Sequence, residues 1–251
     1  MFKTLLARAR QGYRTAPYPA SDPALPPLFR GRPALVPERC VSGCSRCVEI
    51  CPTDALKVAA AGPELDLGRC ILCGECAAAC PADAITLTQD WRLAASQRDF
   101  LLVTGDREMR VEALRHELRR LLGRSLRLRQ ISAGGCSGCE VEVNALGNVV
   151  FDSSRFGIEF VASPRHADGV LITGPVTANM KEAALRTYEA VGEPRLVIAA
   201  GACAISGGLF RGNAEVCDGV DGMFAVDLYI PGCPPHPLTI LDALLRLLGR
   251  C

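Results

Sequence analysis

One cysteine-bearing segment of this chain is written twice. Residues 44–58, CSRCVEICPTDALKV, align with residues 73–87, CGECAAACPADAITL, at a period of 29. Cys44, Cys47 and Cys51 fall on Cys73, Cys76 and Cys80, and Pro52, Asp54 and Ala55 fall on Pro81, Asp83 and Ala84. A repeat this short, with so few large apolar side chains, buries too little surface to fold on packing alone. Something inorganic must supply part of its core. The whole chain carries 14 cysteines against 3 histidines in 251 residues. Its first fifteen residues contain neither an apolar signal-like run nor a twin arginine, so a secretory route is not expected. Reduced thiols in such number point to metal or redox chemistry rather than to a disulfide framework. No apolar run approaches the ~18 residues that cross a bilayer. With 49% hydrophobic and 22% charged residues the composition is that of a globular protein, which excludes disorder and collagen-like structure.

The second repeat reads Cys70-x2-Cys73-x2-Cys76-x3-Cys80-Pro81. This is the bacterial ferredoxin run, in which the fourth cysteine ligates the other cluster. Three thiolates two residues apart wrap a tight turn around one cubane, and the fourth comes from a distance. On this pattern one cubane takes Cys51, Cys70, Cys73 and Cys76, and the other takes Cys40, Cys44, Cys47 and Cys80. Zinc is the alternative, but it prefers two pairs of ligands around one tetrahedral ion. The first run departs from the rule, with three residues rather than two between Cys40 and Cys44. Gly43 can absorb the extra residue at positive φ; otherwise Cys40 is not a ligand and a three-iron cluster rests on Cys44, Cys47 and Cys80.

The rest of the chain divides by composition. Residues 1–36 begin with a short basic helix-like stretch and become proline-rich, which reads as an extended arm lying across a neighbour. Residues 37–92 hold the repeat. Residues 93–123 read as a basic helical connector, because Val111, Leu114, Leu118, Leu121 and Leu122 form one apolar stripe ending at Gly123. Residues 91–131 carry 10 basic and 5 acidic side chains, against 8 and 13 in residues 132–251. A solvated helix face explains that excess better than nucleic acid does, since aromatics are only 5%. From residue 124 onward, short apolar runs (125–132, 157–163, 168–174, 195–201 and 225–232) alternate with helical stretches (181–191 and 237–248). That alternation predicts a doubly wound parallel sheet with ligands beyond the C-terminal strand ends. Cys136 and Cys139 in GGCSGCEVE, Cys203 in GACAISGG and Cys233 in PGCPPHP all fall there. Four thiolates converging from three loops suit a third cubane, with zinc or buried structural thiols as the alternatives.

Residues 132–240 resemble the small, electron-transferring subunit of [NiFe]-hydrogenases and its counterpart in respiratory complex I, the 20 kDa-type subunit. The resemblance rests on CSGCEVE, GACAISGG and PGCPPHP in that order, and the separated Cys136 and Cys139 have the hydrogenase form. Residues 1–92 resemble the two-cluster ferredoxin subunit of formate hydrogenlyase and its complex I relative, through FRGRP (29–33), CILCGECAAACPADAI (70–85) and TLTQDW. The arrangement is similar to a fusion of two neighbouring subunits. The resemblance implies an α+β two-[4Fe-4S] ferredoxin domain followed by an α/β flavodoxin-like domain over residues 124–251. It implies three [4Fe-4S] clusters in the electron-transfer subunit of a membrane-associated, energy-converting [NiFe]-hydrogenase; a complex I-like module without hydrogen chemistry is the other implied reading. The implied partners are a nickel–iron large subunit, integral antiporter-like membrane subunits and a low-potential donor such as formate dehydrogenase or ferredoxin, with no nucleic acid. The implied place is the cytoplasmic face of the membrane, peripheral through partner subunits.

Glu140 is read as a helix cap, Glu142 is left open between capping and proton relay, and His236 is read as a loop-surface residue. Gly201, Gly207 and Gly208 suggest a cradle, yet no G-x-G-x-x-G follows a strand, so a nucleotide site is not expected. Cys217 and Cys251 fit no motif.

Overall fold

Short apolar runs make short strands in the N-terminal half. In the computed structural model, all residues are described except Met1, 60–61, 106–108, 115, 117–119, 121 and 123–124. After a first helix, α1 (Phe2–Gln11), strand β1 (Pro33–Leu35) pairs antiparallel with β4 (Ile85–Leu87). Strands β2 (Leu56–Ala59), β3 (Gly62–Asp66) and β5 (Leu102–Thr104) form an antiparallel sheet in the order β2-β3-β5. Two short helices, α2 (Arg46–Glu49) and α3 (Glu75–Ala79), follow equivalent cysteine turns of the two repeats and pack on each other. Residues 93–123, read from sequence as a basic helical connector, thus contribute a strand to the ferredoxin half. Leu101 and Val103 are buried while Leu102 and Thr104 point outward, the period-2 pattern of an edge strand. Of the connector stripe, Leu118 and Leu121 lie outside the described residues; Leu122 is buried, with Val111 and Leu114 packed beside the same core.

The C-terminal half is the doubly wound sheet that the alternation predicts. Strands β6 (Leu126–Ser132), β7 (Ile158–Phe160), β8 (Gly169–Thr173), β9 (Leu196–Ala200) and β10 (Leu228–Ile230) are all parallel. Their spatial order is β7-β6-β8-β9-β10, the flavodoxin-like order with its switch point between β6 and β8. Helices α4 (Gly138–Ala145), α5 (Ala178–Glu189), α6 (Ala202–Ser206) and α7 (Pro237–Leu247) connect or follow these strands. All five residues of both β8 and β9 are buried, as both-faces-covered strands must be.

The two faces of this sheet belong to two cores. Val170, Ile172, Val197 and Ala199 face one, and Leu171, Leu196, Ile198 and Ala200 face the other. The first core runs without a break into Leu56, Leu65, Leu67, Ile85, Leu101 and Val103 of the ferredoxin half. A fully buried Leu or Ile contributes about 1.5–3 kcal/mol, so the small half borrows packing from the large one. The second core packs α7 against Trp91, Ala94 and Tyr18 of the proline-rich arm. The proline pattern places that arm across a neighbour; it lies instead on its own chain. Tyr18 is buried and its hydroxyl donates to Asp242 of α7, while the Ala16 N–H donates to the Val150 carbonyl at 2.8 Å.

Backbone and side chain both lock the halves together. Ala95 and Tyr229 exchange two N–H···O bonds, at 3.0 and 2.8 Å, adding a bridge at the edge of β10. The Ser206 hydroxyl donates to the Gly68 carbonyl at 2.9 Å. Arg98 donates to both carboxylate oxygens of Asp66, at 2.8 and 2.6 Å, and reaches Asp221 at 3.9 Å.

Candidate iron–sulfur centres

Each repeat folds as a cysteine turn, a short helix and a left-handed aspartate. Asp54 and Asp83 sit at φ +49° and +48°, a conformation that aspartate adopts more readily than most residues. The turn that follows aims a backbone donor back at the last cysteine of each run. Ala55 N–H points at Cys51 Sγ at 3.3 Å, and Ala84 N–H points at Cys80 Sγ at 3.2 Å. The sequence period of 29 is therefore a local two-fold repeat of structure.

The two runs exchange their fourth cysteine. Cys40, Cys44, Cys47 and Cys80 line one cavity with an empty volume of about 340 Å3, beside Pro63 and Ile85. Cys51, Cys70, Cys73 and Cys76 line a second of about 370 Å3, beside Leu56 and Leu65. Gly43 stands at φ +77° with open space around it, so the extra residue after Cys40 is taken up in the loop and Cys40 still reaches the cavity. Leu72, at φ +55°, turns its N–H toward Cys70 Sγ at 3.4 Å.

The third set gathers at the C-terminal ends of the parallel strands. Cys136 and Cys139 follow β6, Cys203 lies in α6 just after β9, and Cys233 follows β10. A Cβ on Gly138 would meet Cys136 Sγ at 3.5 Å and Pro234 at 3.8 Å, and the Ala202 N–H donates to the Gly232 carbonyl at 2.8 Å, so the three loops adjoin. Of the three glycines read as a cradle, Gly201 and Gly208 lie against these sulfurs. A Cβ on Gly201, at φ +95°, would lie 2.6 Å from Cys139 Sγ, and one on Gly208, at φ +55°, would lie 2.8 Å from Cys203 Sγ.

The chemistry of these donors fits iron–sulfur clusters. Burial pushes the Cys70 thiol up to about 12, and the Cys76 and Cys203 thiols up to about 11, with Cys47, Cys139 and Cys233 also raised by burial. Such thiols deprotonate only where bound cations compensate the buried charge. Among the described residues no three His, Cys, Asp or Glu side chains close around a single ion. The thiols of the first two sets line cavities four at a time, which suits a cluster with one thiolate per iron better than a lone tetrahedral zinc.

Around these sets the carboxylates and the histidine take distinct positions. Glu140, in the first turn of α4, accepts hydroxyl hydrogen bonds from Ser132 and Thr173, both at 2.6 Å. Burial works against its charge, but those two bonds prevail and hold its carboxyl below the usual range. It therefore ties the start of α4 to the ends of β6 and β8 at the switch point rather than capping the helix. Glu142 lines an open cleft of about 1030 Å3 together with Cys73, Cys233, Arg30, Phe29 and His236, and burial raises its carboxyl. His236 ends its loop half-buried. Its Nδ1 accepts the Leu238 N–H at 3.2 Å as the N-cap of α7, and the rings of Phe29 and Phe151 meet it edge-on. Arg30 of FRGRP donates to the Cys73 carbonyl, a role its type alone did not reveal. Cys217 packs against the first core, and Cys251 is exposed at the end of the chain.

Two family models match separate parts of the chain. The family described as NADH ubiquinone oxidoreductase, 20 Kd subunit, matches residues 136–247, and the 4Fe-4S dicluster domain matches residues 39–84. Formate hydrogenlyase subunit 7 of Escherichia coli (strain K12) is 42% identical over 139 residues, 55% of this chain and 54% of that protein. The chain thus spans about half the length of that relative. "Probable membrane-bound hydrogenase subunit mbhJ" of Pyrococcus furiosus is 38% identical over 141 residues, 56% of this chain and 84% of that protein. An NADH-quinone oxidoreductase subunit of Carboxydothermus hydrogenoformans is 38% identical over 154 residues, 55% of this chain and 93% of that protein. With an iron–sulfur ferredoxin domain ahead of a five-stranded parallel sheet that carries its own cysteine set, the chain belongs to the NADH ubiquinone oxidoreductase 20 kDa subunit family of oxidoreductase subunits.

Proposed function

We propose that this chain is the electron-transfer subunit of a membrane-associated, energy-converting [NiFe]-hydrogenase of the formate hydrogenlyase type, in which a ferredoxin subunit and a 20 kDa-type subunit are fused. Three [4Fe-4S] clusters would supply its one-electron carriers, held by Cys40, Cys44, Cys47 and Cys80, by Cys51, Cys70, Cys73 and Cys76, and by Cys136, Cys139, Cys203 and Cys233. The protein's own contribution is burial of the thiolates, backbone donors at Cys51, Cys70 and Cys80, and a rigid frame that keeps the halves in register. The observation that carries the reading is the cleft shared by Cys73 of the second set and Cys233 of the third. Electrons entering at the ferredoxin half would cross there toward the third set and the nickel–iron site of a large partner subunit. The chain's partners are then that large subunit, integral membrane subunits and a low-potential donor, formate dehydrogenase or a ferredoxin, at the cytoplasmic membrane face. Among the described residues no helix is long and apolar enough to cross a membrane.

The hydrogenase form of the motif, Cys136-x2-Cys139, favours this reading over a complex I-like module that passes electrons to quinone or another acceptor. The identity with an NADH-quinone oxidoreductase subunit supports that second reading. The sequence of the large subunit encoded next to this chain separates them: two C-x-x-C pairs, one near each end, belong to a nickel–iron site, and their absence leaves the second reading. Iron analysis of the anaerobically purified chain tests the wire itself. About twelve irons per chain are expected for three cubanes, and fewer than about eight would sink it.

A further inference from the structure

Helix α1 is fully exposed, and its apolar residues are not scattered. Phe2, Leu5, Leu6 and Ala9 recur at i, i+3, i+4 and i+7 and so share one face. Phe2 is 82% exposed, Leu5 62% and Leu6 46%, and no residue of the helix is buried. Cations border the stripe, Lys3 and Arg10 on one flank and Arg8 on the other, and Arg14 follows. There is no acidic side chain before Asp22. Tyr13, 88% exposed, stands just past the helix beneath the Arg8 guanidinium, 4.9 Å from its ring centre.

The helix is fastened close to its base. Beyond the Ala16 bond to Val150, Arg155 donates to the carbonyls of Ala16 and Tyr18 at 2.8 and 2.9 Å. The exposed side chains of Val149 and Val150 lie at this anchor and add to the apolar surface. An apolar stripe between cationic flanks, with an aromatic beside it, complements a plane of acyl chains beneath negative phosphates. A protein groove of mixed charge would call for some acid on one flank, and none is present.

We propose that α1 is an interfacial helix that lies on an anionic lipid surface, with Phe2, Leu5 and Leu6 in the acyl boundary and Lys3, Arg8, Arg10 and Arg14 at the phosphates. This contact is made by the chain itself and is separate from its attachment through partner subunits. It goes beyond the redox reading and does not depend on it, since iron content and lipid binding are measured independently.

The test uses the full, cluster-loaded chain in co-sedimentation with vesicles of phosphatidylcholine alone or with about one third phosphatidylglycerol. Binding is expected only to the anionic vesicles and should fall steeply by about 0.5 M salt. Leu5→Glu with Leu6→Glu should abolish it. Lys3→Gln, Arg8→Gln and Arg10→Gln together should weaken it at least tenfold, each cation near such a surface being worth roughly fivefold. Because α1 buries nothing in the fold, these variants should keep the parent's visible absorbance. Phe2→Trp should add a blue-shifted emission on binding, over the constant signal of the buried Trp91. Equal binding to both vesicle types, no binding to either, or unchanged binding by the Leu5→Glu, Leu6→Glu chain would overturn the proposal. So would loss of detergent-solubilised membrane subunits from that variant when vesicles fail to bind the parent, an outcome that seats the stripe in a protein groove.

Discussion

Single residues decide whether a sulfur can meet its cluster. Gly201 is the sharpest case, because its positive φ and the 2.6 Å approach of Cys139 Sγ leave no room for a methyl group. Gly201→Ala is expected to disturb the third set and spare the other two. Electron paramagnetic resonance of the reduced variant should lose or shift one signal, and three unaltered signals would refute the cradle. Cys40 is decided at the same scale. Its loop is one residue longer than the repeat requires, yet Gly43 stands at positive φ and Cys40 lines the cavity with Cys44, Cys47 and Cys80. Cys40→Ser should change one cluster signal and lower the iron count; unchanged spectra would remove Cys40 from the set. Glu140, Asp54 and Asp83 show how little the residue type alone conveys, since their parts come from two hydroxyl donors and from a left-handed backbone.

Among elements, α7 carries the most burial and an unusual polar group. Asp242 is 1% exposed within a largely apolar helix, held by the Tyr18 hydroxyl and by Arg246 of the same helix at 3.0 Å. Burial outweighs both partners and raises its carboxyl above the ordinary value. A raised folded value means stability that is complete below the unfolded value and is lost as pH rises through the folded one. Asp242→Asn removes that titration, so the variant should gain on the parent as pH rises from about 4, the ordinary carboxylate value, to neutrality. Denaturant unfolding at the two ends of that range checks it, and a difference that stays flat or moves the other way would count against it. The proline-rich arm belongs to this scale as well. Its prolines are legible as an extended segment, but its seat on α7 depends on Tyr18 reaching a side chain 224 positions away.

The molecule as a whole depends on two halves acting as one frame. Arg98 bridges Asp66 of the ferredoxin half to Asp221 of the other, and Gly68 leaves room for the Ile205 and Arg98 side chains against its backbone. A Cβ on Gly68 would lie 2.8 Å from Ile205 Cγ2 and 2.9 Å from Arg98 Cζ. Arg98→Ala leaves the partly buried Asp66 with fewer donors and should cost about 1–3 kcal/mol. Hydrogen exchange should then quicken at β5 and around Gly68 while the centre of the parallel sheet stays protected. A uniform change across both halves would mean that Arg98 does not act at the joint.

The cysteine spacing, the period of 29 and the alternation of apolar runs carried the α/β topology and the ferredoxin repeat. These signals are local, written in turns and in the period of burial, and local signals survive in sequence. The strand at Leu102–Thr104, the arm on α7, the cap made by His236 and the cleft shared by Cys73 and Cys233 were decided only in three dimensions. Each joins segments far apart in the chain, and such pairings are fixed by the apolar surface left uncovered once the local elements form. The ferredoxin half shows the reason most plainly. Too small to bury a core of its own, it completes one against a face of the parallel sheet, and no residue of the 29-residue repeat announces that contact.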